Sequence, residues 1–338
     1  MIAYELARCF RDRGHDVDVF ATWSADPFHS IFSSELGIRI ETDPDKLRPF
    51  HYDLVYFQHH TAPLFRYDAD PGDLGQSMIV FGRLARRTFM ESGGWAIDLA
   101  LGDHTIANSE LTAERLVETG VQHPISVFYN AAPESFFAAP HPLPTIPRRI
   151  LLISNHHDSD LLIAVGRLRA ACEVTHIGRS GEKYSLVTPD LIKQADLVIS
   201  IGKSIPYALA ARTPAYVYDH FGGPGYLRAE NFQMAARFNF SGRCCERKLS
   251  GEQIFNEIIT GYEQAADFTR ATDENILGRY RLEAHVDKLL SIVPRSNNCK
   301  RDALSRHHGA IERERLMAGH IRGDYVADRE RDQRAAAL

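Results

Sequence analysis

The sequence predicts an α/β fold with two parallel-sheet domains. Short β-branched runs alternate with amphipathic helical segments, and this alternation restarts after a proline-rich segment at 139–148. At 338 residues, 44 % hydrophobic and 25 % charged, the chain has the size and composition of two globular domains.

The first domain is predicted over residues 1–138. Ile2, Leu6, Cys9 and Phe10 share one helical face, and Gly14 provides a left-handed C-terminal stop. Predicted strands follow at 17–21, 38–40, 53–57, 78–81, 104–107 and 125–128, with a helix that begins near Asn108. A Rossmann-like unit begins with a strand and a glycine-rich turn, so the sequence is expected to lack the first strand of its parent fold. A sheet that begins at residue 17 is the alternative.

The second domain is predicted over residues 149–293, after a linker at 139–148 whose four prolines keep it extended. Predicted strands lie at 150–153, 173–177, 197–201 and 215–218, the last followed by a glycine-rich loop. Predicted helices lie at 160–171, 189–195, 205–211, 251–271 and 273–293, with Ser250 as an N-cap. The tail, 294–338, is polar and highly charged and is expected to be a solvated helix, a coiled-coil fragment or disordered.

Charge and composition exclude several classes of protein. A formal net charge of -5 argues against a general nucleic-acid binder. No apolar run reaches the ~18 residues of a membrane-spanning helix, and the N-terminus lacks the features of a secretory signal. The five cysteines show no zinc spacing and fit a reducing compartment. We therefore expect a cytoplasmic protein, with the inner face of the membrane as an alternative location.

The strongest candidate site follows the strand at 197–201. Ligands of open parallel sheets bind beyond the carboxyl ends of the strands. There, Gly202 allows close backbone approach, Lys203 adds positive charge, and Ser204 can cap the next helix or bind an oxyanion. Together they would suit a pyrophosphate. The alternative is an N-capped helix with a surface lysine.

Further candidate residues follow the neighbouring strands. Three glycines around Pro224, including Gly222 and Gly223, predict a loop whose amides wrap an anion beside His220; a tight turn is the alternative. Ser154, Asn155 and Gly178 follow two other strands and are candidates to contact phosphate or ribose, or else belong to polar loops without a ligand.

The first domain offers weaker candidates. His59 and His60 end one predicted strand, where an imidazole can act as a base, although a structural histidine is the more frequent case. Arg83 follows the next predicted strand, at 78–81, and is expected on the acceptor side. Glu91, beside a glycine pair, is a further carboxylate candidate.

Three segments carry a family resemblance. Residues 2–21, with Leu-Ala-Arg and Arg-Gly-His-Asp-Val runs, residues 103–112 and residues 125–136 resemble, in this order, segments of GT-B glycosyltransferases of the family 4 type. The resemblance covers roughly residues 1–290, and Ala131 replaces the usual glycine. It implies two Rossmann-like domains with a cleft between them, the first binding the acceptor and the second a nucleotide-sugar donor.

The resemblance also implies site roles. Thr188 would lie where backbone groups contact the base, and the segments at 202–204 and 222–223 would face the diphosphate and sugar. The resemblance implies no bound metal or cofactor, because GT-B enzymes need none. The implied activity is transfer of a sugar to a glycan or lipid-linked acceptor in bacterial surface polysaccharide assembly.

One departure from the family concerns sugar recognition. Family 4 enzymes carry two glutamates around the short helix near the donor sugar, but residues 200–211 contain no acid, and Tyr207 stands where the second would fall. Two alternatives stay open. One is a sugar-nucleotide epimerase, which should keep acids and histidines near the diphosphate loop. The other is a degenerate nucleotide-sugar-binding or scaffolding protein that self-associates through its charged tail.

Overall fold

The computed structural model describes residues 2–84, 92–179 and 181–336. It confirms an α/β protein with parallel sheets in two compact units and a long C-terminal helix. The first unit comprises Met1–Asn108, Thr112–Val127 and Leu290–Leu338, and the second comprises Ser109–Leu111 and Phe128–Leu289.

The described strands and helices follow in chain order. The strands are β1 Val19–Phe20, β2 Ile40–Glu41, β3 Leu54–Gln58, β4 Met78–Arg83, β5 His104–Ala107, β6 Ile125–Val127, β7 Arg149–Ile153, β8 Glu173–Ile177, β9 Leu197–Ser200, β10 Ala215–Asp219 and β11 Gly222–Tyr226. The helices are α1 Ile2–Asp12, α2 Phe28–Leu36, α3 Ala96–Leu101, α4 Glu110–Glu118, α5 Ser159–Leu168, α6 Pro189–Gln194, α7 Ser204–Ala210, α8 Ala229–Arg237, α9 Gly251–Ala271, α10 Glu274–Gly278, α11 Leu282–Leu290, α12 Asn297–Arg306 and α13 His308–Ala336.

The first unit contains a four-stranded sheet in the order β3-β4-β5-β6, in which all neighbours are parallel. β1 and β2 form a separate parallel pair. The predicted first helix is confirmed: α1 buries Leu6 and Cys9, and Gly14 has the left-handed φ of 83°. The hydrophobic core is centred on β3 and β4 and includes Phe57 and Phe81.

The C-terminal segment packs on the first unit. Ala303 of α12 and Ile311 of α13 belong to the same hydrophobic cluster as Phe81. Lys300 is fully buried, and its ammonium donates to the Ser77 carbonyl at 2.9 Å and pairs with Asp103 at 2.9 Å. The segment after residue 294 thus forms two helices and completes the core of this unit.

The second unit contains a five-stranded sheet in the order β11-β10-β9-β7-β8. β7, β8, β9 and β10 are parallel, and β11 pairs antiparallel with β10. Ile254 and Ile258 of α9 belong to a core cluster with Leu152 and Ile199 of the sheet. The helix predicted at 251–271 is confirmed as α9. It begins at Gly251 because Ser250 and Gln253 form a reciprocal capping box.

The expectation of a glycine-rich loop after β10 is wrong, because this segment forms strand β11. A Cβ on Gly223 would lie 2.0 Å from the Val217 carbonyl oxygen, and one on Gly222 would lie 2.3 Å from that of Arg247. The glycines are therefore needed for close backbone approach, which outweighs the low strand propensity of the segment.

Other predictions need smaller corrections. The helix expected at 273–293 is two helices, α10 and α11. The helices α2, α3 and α8 had no counterpart in the predictions. The N-cap position of α7 is Lys203, without a side-chain cap, so Ser204 does not cap this helix.

Candidate functional site

Four parallel strands of the second unit end at the same edge of its sheet, and hydrogen bonds connect the segments that follow them. The Ser200 hydroxyl at the end of β9 donates to the Ile153 carbonyl at the end of β7, at 2.8 Å. The Ser154 amide donates to the Ile177 carbonyl at the end of β8, at 3.0 Å. This carboxyl edge is where parallel sheets bind ligands.

Ser154, Asn155 and Gly178 lie together at this edge. Gly178 has φ of 136°, and a Cβ there would lie 1.9 Å from the Ser154 carbonyl oxygen. The Asn155 side-chain oxygen accepts the Arg179 amide at 3.2 Å. Asn155, His156 and Arg179 are exposed, so this cluster offers polar groups and a guanidinium to a ligand.

The segment after β9 is largely engaged within the second unit. The Gly202 amide donates to the Phe240 carbonyl at 3.1 Å. The Lys203 ammonium donates to the Ala131 carbonyl at 3.0 Å and lies 5.1 Å from the centre of the Tyr207 ring. Ser204 is the first residue of α7, a helix of seven residues that is otherwise buried. In this conformation the lysine's charge stabilises a backbone carbonyl.

At the end of β10, the sequence interpretation missed Asp219. This residue is 3 % exposed; its Oδ1 accepts the Phe221 amide at 2.9 Å, and its Oδ2 lies 3.4 Å from Nδ1 of His220. Burial raises the pKa of Asp219 above its usual value, an effect opposed by the backbone hydrogen bond and by His220, His156 and Arg243. Its position directly after the predicted strand at 215–218 was the only sequence signal.

His220 and His156 come from different strand ends, and their rings lie 4.3 Å apart. His220 is half-buried, and its Nδ1 is a buried atom without a hydrogen-bond partner, as is Asp219 Oδ2. The carboxyl edge therefore combines two imidazoles with a buried carboxylate.

The remaining donor-site candidates have structural contacts. The Gly223 amide donates to the Arg247 carbonyl at 3.0 Å, and the Gly223 carbonyl accepts Arg247 Nε at 3.2 Å, as parts of the edge of β11. Gly222 is buried in the same strand. The Thr188 hydroxyl accepts the Leu191 amide at 3.4 Å and caps α6.

In the first unit, His59 and His60 occupy opposite environments. His59 is exposed and has the left-handed φ of 58°, a strained conformation for a residue other than glycine. His60 is 3 % exposed, its ring lies 4.3 Å from that of Trp95, and neither ring nitrogen has a hydrogen-bond partner. Burial, assisted by the charge of Arg83, lowers the pKa of His60 to about 3.

Arg83 is 1 % exposed and lies inside the first unit. Its guanidinium donates to the His59 carbonyl at 2.5 Å and to Asp98 at 2.5 Å. Burial raises the pKa of Asp98 to about 6 in spite of this partner. Arg83 therefore fixes the backbone of His59. Glu91 lies outside the described residues.

Within the described ranges, one group could hold a metal ion: His51, Asp70 and Asp73, whose ligand atoms lie within 4.8 Å of one another. Arg48 lies 3.9 Å from Asp70, and Arg301 pairs with Asp73. These guanidinium groups already balance the acidic charge. Among the same residues, no helix combines the length and the apolar character that crossing a bilayer requires.

No family model matches the sequence, and no curated protein matches it. Among solved structures, the chain is similar to the glycosyltransferase SnogD from Streptomyces nogalater, with 13 % sequence identity and a TM-score of 0.35. The alignment covers 86 % of this chain and 94 % of the SnogD chain. The resemblance to a glycosyltransferase is thus a distant, structural one.

Proposed function

We propose that the chain is a glycosyltransferase that moves a sugar from a nucleotide-diphosphate donor to a glycan or lipid-linked acceptor. The observation that carries the proposal is the convergence of Ser154, Asn155, Gly178, His156 and His220 at the carboxyl edge of one parallel sheet. The ordered sequence segments of the family 4 type support it independently. Bacterial surface polysaccharide assembly is the setting that this resemblance favours.

The chemistry of the edge suits a nucleoside diphosphate. Arg179 and Arg243 are exposed guanidinium groups, and His156 and His220 can add charge or hydrogen-bond donors. Ser154 and Asn155 offer groups that can pair with ribose hydroxyls or phosphate oxygens. Stabilisation of a leaving diphosphate by such groups is what sugar transfer from a nucleotide donor requires.

Binding of nucleotides to the purified full chain tests the proposal. We expect UDP, GDP or TDP to bind in calorimetric titration, and Arg179→Ala to weaken that binding about threefold to tenfold because a charge-assisted contact is lost. Arg331→Ala, which removes an exposed guanidinium on α13, is the matched control. If none of the three nucleotides binds the wild-type chain, the proposal is wrong.

A nucleotide-sugar-binding protein without transfer activity is the second candidate. The Gly202 amide donates to the Phe240 carbonyl and the Lys203 ammonium donates to the Ala131 carbonyl, although both groups were expected to hold the diphosphate. Because these donors are engaged elsewhere, fewer groups stabilise a leaving diphosphate, and this favours binding without transfer. Turnover separates the candidates. Release of free nucleoside diphosphate from a donor sugar indicates transfer or hydrolysis, conversion to a second nucleotide sugar indicates an epimerase, and binding with an unchanged donor indicates a binding protein.

A further inference from the structure

Two buried polar atoms at the end of β10 face each other without forming a hydrogen bond. Asp219 Oδ2 and His220 Nδ1 are 3.4 Å apart, and neither has another hydrogen-bond partner within the described residues. An unpaired polar atom in the interior costs free energy unless a partner is supplied when the site is used. A movement of a few tenths of an ångström would let the imidazole donate from Nδ1 to the carboxylate.

The carboxylate is held independently of the imidazole. Asp219 Oδ1 accepts the Phe221 amide at 2.9 Å, and the side chain is only 3 % exposed. The other oxygen is therefore fixed in direction, and it faces a ring that keeps 33 % of its surface exposed. Because Nδ1 is a buried nitrogen, Nε2 is the ring nitrogen through which His220 would contact a ligand.

Positive groups surround this pair from neighbouring elements. The His156 ring, from the segment after β7, lies 4.3 Å from the His220 ring, and the Arg243 guanidinium lies 3.8 Å from the centre of the Phe221 ring. His220 also contacts Phe221, with ring centres 3.8 Å apart. The His156 imidazole and the Arg243 guanidinium thus place further cationic or donor groups near the His220 ring. Such surroundings favour an anionic oxygen as the ligand atom.

We propose that Asp219 and His220 form a carboxylate–imidazolium pair in which His220, with a proton on each ring nitrogen, donates from Nε2 to the terminal phosphate of a bound nucleoside diphosphate. Asp219 is the positioning residue: it accepts a hydrogen bond from Nδ1–H and so stabilises the imidazolium and fixes the orientation of the ring. The proposal rests on the proposed function, and it supplies an anion contact that the engaged Lys203 does not provide in this conformation.

The test compares diphosphates with monophosphates on the full chain. We expect His220→Phe to weaken binding of UDP, GDP or TDP about tenfold and to leave binding of the matching monophosphate unchanged, because phenylalanine has no N–H group to donate to the terminal phosphate. His320→Phe is the matched control, since His320 and Asp324 are also 3.4 Å apart but both are exposed on α13. Equal diphosphate affinity in His220→Phe and wild type overturns the pair while the proposed function stands. Absence of any binding to wild type overturns both.

A spectroscopic measurement tests Asp219 directly. In ¹⁵N-histidine-labelled protein with bound nucleoside diphosphate, the His220 signals are identified by their loss in His220→Phe. We expect both ring nitrogens of His220 to carry a proton in the wild type and one of them to be unprotonated in Asp219→Asn, a change that a merely structural aspartate would not produce. An unchanged protonation of the His220 ring in a folded, nucleotide-bound Asp219→Asn protein overturns the positioning role.

Discussion

At the scale of single residues, burial links protonation to folding. His60 is neutral in the folded chain until the pH approaches about 3, whereas an unfolded histidine binds a proton near its ordinary value of 6.5. The folded pKa is therefore the lower one, and the unfolded state takes up more protons as the solution is acidified. The stability that depends on neutral His60 is complete above pH ~6.5 and is lost as the pH falls from there toward ~3.

We predict that His60→Phe reduces this loss on acidification. Phenylalanine can keep the ring contact with Trp95 and has no proton to bind. Between about pH 8 and pH 5, the wild type should lose about 2 kcal/mol more of its unfolding free energy than the variant, as measured by urea denaturation. His320→Phe changes an exposed histidine and should keep the wild-type pH dependence. The same pH dependence in His60→Phe would refute the neutral, buried state.

The sequence could place most candidate residues at strand ends but could not determine their environments. The polar residues after β7 and β8 converge as the parallel alternation predicts, because parallel strands share one carboxyl edge. Lys203 was expected to meet a ligand, yet its ammonium reaches the Ala131 carbonyl, 72 residues earlier in the chain. Pairings over such a separation depend on tertiary packing, which local spacing does not encode.

At the scale of elements, strands with β-branched, apolar sequences were predicted to within two residues of their limits, including β5 and β8. β11 was missed because Gly-Gly-Pro-Gly has a low strand propensity, and only the proximity of Val217 and Arg247 explains it. α3 was missed because its start is capped from a distant element: Glu314 accepts the Ala96 amide at 2.7 Å and the Ile97 amide at 3.1 Å.

α12 is held to the first unit by a buried charge, and this leads to a second prediction. Lys300 donates to the carbonyls of Ser77 and Arg295, at 2.9 and 2.7 Å, and pairs with Asp103 at 2.9 Å. Lys300→Met should lower the unfolding free energy by about 1–3 kcal/mol, because two backbone carbonyls and Asp103 lose a charged donor while Asp103 keeps its pairing with Arg295 at 3.2 Å. Chemical denaturation measures the effect.

An exposed ion pair is the control for Lys300→Met. Arg331 and Asp328 pair on the exposed part of α13, and Arg331→Met should change the unfolding free energy by less than about 0.5 kcal/mol. A loss of similar size in both variants would contradict the role assigned to burial. The asymmetry is expected because water cannot replace the donor that the buried oxygens around Lys300 lose, whereas it can at an exposed ion pair.

At the scale of the whole molecule, the two units have separate hydrophobic clusters, but only the first is assembled from distant parts of the chain. Its last segment, from Leu290, supplies Ile311 to the core and Glu314 to the start of α3.

A chain that ends at residue 289 should therefore lose hydrogen-exchange protection in β3–β6 while keeping it in β7–β10. A chain that ends at residue 323 retains these contacts and lacks a mostly exposed part of α13, so its protection should match that of the full chain. Hydrogen exchange measured by mass spectrometry on all three chains tests this prediction. If β3–β6 are as protected in the chain ending at 289 as in the full chain, the first unit folds without its C-terminal helices. If β7–β10 lose protection in that chain, the second unit does not fold independently of residues 290–338.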